Sequence, residues 1–191
     1  AEVAAASKQT HAEASATAVV PRPPATSLTL TYTTDPRIDA QVATSSRTGR
    51  TTTRASTPVI DGYDCANFAS QSLIERGWAM DGGWFYDAST GATSPRGRAR
   101  PPCATGCTRA PDLATPLDDT QRAQVKVGDI AQFDWDDSGD RDHTAIVTRV
   151  DHLPGGGTQV WVGSHTKDVD YWDVDVALAN GGGSVYYFSL R

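Results

Sequence analysis

One stretch, DGYDCANFASQSLIERGW at residues 61–78, constrains this chain more than any other. Asp64 is a good helix N-cap, and Cys65 follows it as the first helical residue. Ala66, Ala69 and Leu73, with Phe68 beside them, recur at helical spacing and offer one face to a core. Gly77 sits where such a helix stops, with Arg76 in its last turn and Trp78 placed to fold back over it. A thiol therefore stands at the positive end of a helix, which favours the thiolate, the nucleophilic form. Cys65 is the expected nucleophile for attack on an amide carbonyl. The plainer alternative is a small buried core residue.

The rest of the chain divides around this helix. Residues 1–58 are rich in Ala, Thr, Ser, Pro and Arg and poor in large apolar side chains. They read as a low-complexity N-terminal extension or linker that cannot offset its own ordering entropy unless it docks on something. Within it, SLTLTYTT at 27–34 is an edge strand or an extended tail, and a short helix is possible between Ile38 and Val42. All five tryptophans lie in residues 59–191, which read as one domain. Residues 79–120, with repeated Pro and Gly, read as a long inserted connection whose Trp84, Phe85 and Tyr86 pack on the domain or line a groove.

After the insert the period changes to two. Residues 130–135, 143–150, 158–165, 171–178 and 184–190 are the expected strands, separated by DDSGDRD, PGGG and NGGG turns. A helix followed by about five antiparallel strands is an α+β layout. The net charge of −6 argues against nucleic acid or an anionic membrane as the main partner. No apolar run approaches the ~18 residues of a membrane span.

Three cysteines are present. Cys103 and Cys107, in PPCATGCT, suit a small disulfide in an oxidising compartment, with half of a zinc site as the rival. That pairing leaves Cys65 alone, and nucleophilic catalysis is the usual reason for a leftover thiol in an exported protein.

A thiol nucleophile needs a base, and the base needs an orienting partner. His11 lies in the extension and His152 in a turn. His143 and His165 each stand eleven residues from Pro154, so a hairpin centred there sets them opposite one another on one face. His143 would then serve Cys65 while His165 holds the His143 ring. A one-residue slip would oppose His143 with Ser164 or Thr166 instead. Each of these histidines could equally be just a hydrogen-bonded strand residue. The turn at 134–140, DWDDSGD, echoes the start of a calcium loop but lacks the closing Glu. The alternatives are a solvated acidic turn or a contact for a cationic substrate group.

The strings DCANFASQSL, VGDIAQFDW, DHTAIVTRV and GSHTKD, followed by a Tyr-Trp pair, resemble the putative amidase domain family of bacterial exported proteins. That family is a branch of the papain-like cysteine hydrolases, related to the NlpC-like and CHAP peptidoglycan hydrolases. The resemblance covers roughly residues 61–175. It implies a papain-like core with the nucleophile helix packed on the sheet. It also implies Cys65 as nucleophile, His143 as general base and acid, and His165 as the polar group orienting the imidazole. Tyr63, Asp64 and Trp84 are the expected substrate contacts. Tyr63, Asn67 and Gln71 are candidate oxyanion donors, the latter two otherwise stabilising the helix. No cofactor or metal is required.

Two departures bear on specificity: Glu75-Arg76-Gly77 stands where relatives carry a Gly pair, and the 79–120 insert is long. The leading expectation is a monomeric, secreted or wall-associated bacterial cysteine amidase or endopeptidase acting on peptidoglycan peptides. A catalytically silent binding domain and a thiol-dependent transferase or deamidase are the alternatives.

Overall fold

The computed structural model describes residues 35–46, 64–87, 90, 92, 93, 113–165 and 169–191. The expected strand at 27–34, His11, Tyr63 and the Cys103–Cys107 pair lie outside these residues.

Alternation of apolar side chains builds the sheet. β4 (Ile130–Asp134), β5 (His143–His152), β6 (Thr158–Ser164), β7 (Val169–Asp173) and β8 (Ser184–Leu190) join β3 (Ala114–Asp118) in one six-stranded sheet. Every pairing is antiparallel and the order is β3-β8-β4-β5-β6-β7. A two-stranded ribbon, β1 (Tyr86–Asp87) with β2 (Ala92–Thr93), stands apart. The fold is α+β.

Because successive side chains point to opposite faces, the sheet carries two cores. One face gathers Ala131, Phe133, Trp135, Ala145, Val147, Val160, Val162, Trp172 and Tyr187. The other sets Ile130, Ile146, Phe188 and Leu190 against Ala69 and Leu73 of α2 (Cys65–Glu75). The helix ends as the sequence predicts. Gly77 takes φ +100°, and the Trp78 N–H donates to the Leu73 carbonyl at 3.0 Å. Trp78 is half-buried against the same core. Burial on this scale is the main stabilising term, at about 1.5–3 kcal/mol for each large apolar side chain.

Three elements go beyond or differ from the sequence reading. The short helix expected between Ile38 and Val42 is present and longer, Pro36–Ser46 (α1), and it packs on α2 with Gln41, Val42 and Thr44 buried. The condition for ordering it is met: it docks. The Arg76 guanidinium, itself buried, donates to Gln41 Oε1 at 2.7 Å, while Gln41 Nε2 donates to the Gly128 carbonyl at 2.8 Å. Second, the insert ends in structure: Ala114–Asp118 is the edge strand β3, where Pro116 costs no ladder bond on the solvent side. Third, residues 171–178 are not one strand. β7 stops at Asp173, whose carboxylate accepts from the N–H groups of Asp175 and Val176 and caps α3 (Val174–Gly181). Val174 and Ala177 bury at helical spacing, and the cap overrides the alternating Val-Asp-Val pattern.

Gly128 is the tightest point of α1 docking. Its φ is +88°, and a Cβ there would meet Ile38 Cγ2 at 2.9 Å and Gln41 Oε1 and Arg76 Nη1 at 3.0 Å. Gly128→Ala is expected to cost roughly 1–3 kcal/mol, through both backbone strain and the displaced clasp. Gly139→Ala also has positive φ but meets nothing within 4 Å, so it should cost only the strain, about 1 kcal/mol. Urea midpoints of the two variants check this; equal shifts would contradict it.

Candidate active site

Cys65 is the first residue of α2, as the sequence predicts, and is half-buried. Where its sulfur sits follows from the sheet. The Val147 N–H donates to the Asp129 carbonyl and the Val147 carbonyl accepts from Gly128, each at 2.8 Å. Alternate residues of β5 therefore bond toward β4, and Thr144, between them, aims its N–H toward β6. Ile146↔Gly163 is the last β5–β6 pair before the strands part. The Thr144 N–H, one residue from His143, is close enough to the Cys65 thiol to draw its pKa down, so the sulfur lies near the end of β5 where the β5–β6 pairs stop.

The two histidines do not face each other directly. Near the turn, His152 pairs with Thr158 and Arg149 with Trp161; a bulge at Thr148 then shifts the register, so that Val147 pairs with Val162 and Ile146 with Gly163. Extended by two residues, that register sets His165 across from Thr144. The one-residue slip allowed for in the sequence is present: the turn-proximal pairs run two residues off direct opposition, and the bulge takes one of the two back. His165 consequently lies on the α2 face. Its ring stacks on Phe68, with centroids 5.9 Å apart, and its Nδ1 is 2.5 Å from Asp64 Oδ2. The two form an ion pair when the ring is protonated.

His143 pairs with Phe133 and turns its ring to the other face, among Phe133, Trp135 and Trp172 with centroids 6.1–6.5 Å away. Its Nε2 is buried without a hydrogen-bond partner. The structure brings Cys65, Asp64, His165 and the backbone of Thr144 together on one side. It sets the His143 ring on the opposite face of the sheet.

Electrostatics differ from the sequence expectation. Burial is the largest influence on the Cys65 thiol and pushes its pKa up; the N–H groups of Thr144, Ala66 and Cys65 pull the other way without prevailing, and the Asp64 charge adds to the rise. Helix placement alone does not make the resting thiolate. Burial pushes the His143 imidazole down to about 4. Resting sulfur and imidazole are both neutral.

Asp64 and Trp84, expected to touch substrate, are engaged inside the protein. Asp64 is 4% exposed, with Oδ1 accepting from Asn67 Nδ2 at 2.8 Å. Trp84 is 5% exposed in the α2-side core, and its indole N–H donates to Ser70 Oγ at 3.2 Å. Burial and internal partners engage their polar atoms in this structure. Residues the sequence reading missed are Thr144 and Gln132, which face each other under α2. Gln132 Nε2 donates to Thr144 Oγ1 at 3.2 Å, and Gln132 Oε1 is buried without a partner. An amide at a core position of an otherwise apolar strand was the available signal.

The acidic turn brings carboxylate oxygens of Asp134, Asp136 and Asp142 within 4.8 Å of one another. Asp134 already accepts from the N–H groups of Ser138 and Gly139 and from Arg141 Nη1 at 3.0 Å. Asp142 accepts from Trp135 N–H. These bonds explain the turn as a closed structural device.

Among known proteins, residues 59–188 match the putative amidase domain. No curated protein and no solved structure matches the chain.

Two outcomes follow from the electrostatics. Alkylation of Cys65 by iodoacetamide should rise with a midpoint above the ordinary thiol value of 9.0; a midpoint below that value contradicts the burial argument. His143 titrates near 6.5 when unfolded and near 4 when folded, so within that window the unfolded chain binds more protons. Stability should fall as pH drops from 6.5 toward 4, by roughly 3 kcal/mol at the full shift, and His143→Gln should flatten that slope in denaturation series.

Proposed function

The chain belongs to the putative amidase domain family, whose general chemistry is amide hydrolysis, and on that premise we propose a cysteine amidase. Cys65 is the nucleophile, His143 carries the proton and His165 is the third polar group. The observation that supports this reading is Cys65 at the start of α2, beside the Thr144 N–H that follows His143.

Since thiol and imidazole are neutral at rest, the S–H proton passes to His143 as sulfur attacks the carbonyl carbon, rather than beforehand. The N–H groups at the start of α2 stabilise the developing oxyanion, at a few kcal/mol per donor. A desolvated imidazolium is a strong acid, so His143 readily returns the proton to the leaving amine. Water then attacks the thioester with His143 as base, freeing acid and thiol.

The substrate we propose is a peptide stem or cross-bridge of a bacterial cell wall, cleaved outside the cell by an exported protein. Support for the wall comes from the resemblance to NlpC-like and CHAP hydrolases; support for export comes from the Cys103/Cys107 spacing. Among the described residues, no helix is long and apolar enough to cross a membrane.

Digesting purified cell wall with wild type and Cys65→Ala tests the proposal. New amino termini should form with wild type, and the rate should fall by at least about 10³-fold in the variant, with the fold retained by circular dichroism. Equal cleavage by both would end the cysteine reading.

A further inference from the structure

Asp64 stands at the N-cap of α2, where a carboxylate ordinarily accepts a backbone N–H of the first turn. Here it makes no side-chain capping bond to the helix. One oxygen instead takes the Asn67 amide, and the other lies 2.5 Å from His165 Nδ1. The carboxylate is almost fully buried, at 5% side-chain exposure, against 22% for the imidazole. Burying a carboxylate is costly unless its oxygens are engaged, so its diversion from the helix to a histidine needs a reason that helix stability does not supply.

We infer that Asp64 is a positioning residue for the reaction: facing His165 Nδ1, it holds that ring in the Nδ1–H tautomer and leaves a lone pair on Nε2. This rests on the cysteine reading above and adds a fourth member to it. A neutral imidazole carries its proton on one nitrogen, and the partner of that nitrogen decides which. A carboxylate accepts but cannot donate, so it selects the proton-bearing nitrogen.

Phe68, stacked on the same ring, fixes its plane. Both anchors come from the first turn of the helix that carries Cys65, so the nucleophile and the ring orientation are set by one rigid element. The consequence is an acceptor on the site side of His165. The Nε2 lone pair that the Asp64-selected tautomer supplies is a proton acceptor on the α2 face, the face that carries Cys65. In the opposite tautomer His165 would present a donor there instead.

The tautomer can be read directly. Protein labelled with 15N-histidine carries four histidines, and loss of one signal set in His165→Ala assigns the ring. In long-range 1H–15N spectra at alkaline pH, wild type should show His165 protonated on Nδ1 and bare on Nε2. Asp64→Ala should shift it toward Nε2–H. A wild-type Nε2–H tautomer, or an Nδ1–H tautomer unchanged in Asp64→Ala, overturns the inference; the first measurement needs no variant.

The second arm uses the cell-wall digestion. Asp64→Ala should lower kcat by roughly 10²–10⁴-fold with KM little changed. In the His165→Ala background the same substitution should cost nothing further. Additive losses overturn the inference, since a merely structural Asp64 would act independently of His165. Cleavage surviving Cys65→Ala would end the cysteine reading and leave the tautomer result standing. A wrong tautomer would end this inference and leave Cys65 in place.

Discussion

Thr144 is where the β5–β6 ladder gives way to something other than a strand. Its N–H points toward β6, but the β5–β6 pairs have already stopped, and the group lies close enough to the Cys65 thiol to draw its pKa down. The first turn of α2 therefore sits beside the strand that carries His143. Beneath it, Gln132 holds the Thr144 hydroxyl, so the start of β5 is braced from the sheet as well as from the helix.

The bulge at Thr148 decides what surrounds that point. Had the register of the turn-proximal pairs continued, His165 would lie across from Ala145, whose side chain belongs to the opposite core. One extra residue in β5 brings His165 to the α2 face, beside Asp64 and Phe68. Bulges re-aim side chains in this way next to functional sites. Burial then sets the charge states: a desolvated thiol and a desolvated imidazole each favour the neutral form. Amide cleavage on such a site depends on proton transfer during attack and gains from a strong acid at the leaving group.

Much of this was legible in the sequence where the signal is local. The Cys65 helix, its Gly77 stop and the strands around residues 130–134, 143–152, 158–164 and 184–190 all follow from period and turn chemistry. What was not legible depends on contacts distant in the chain. The docking of α1 rests on Gln41 meeting Arg76 and Gly128, three residues with no local pattern in common. Val174, Val176 and Leu178 alternate as a strand would, and only Asp173 as a cap marks α3. The bulge leaves no trace in composition, so direct opposition of the histidines was the natural inference from spacing. Trp84 read as a groove residue because an aromatic run in an insert suggests a surface, whereas tertiary packing buries it. The fate of Asp64 was hidden for a different reason. The position predicts a cap, and only the nearness of His165, 101 residues later, redirects the carboxylate.

The account stands on sulfur forming a covalent bond to the acyl group during turnover. Acid quench of the wild-type protein mid-reaction on an amide substrate, followed by intact-mass measurement and peptide mapping, reads this directly. The account predicts an adduct with the mass of the acyl fragment, labile to hydroxylamine and located on Cys65. Steady amide cleavage with an unmodified Cys65, or with the acyl group on another residue, would contradict it.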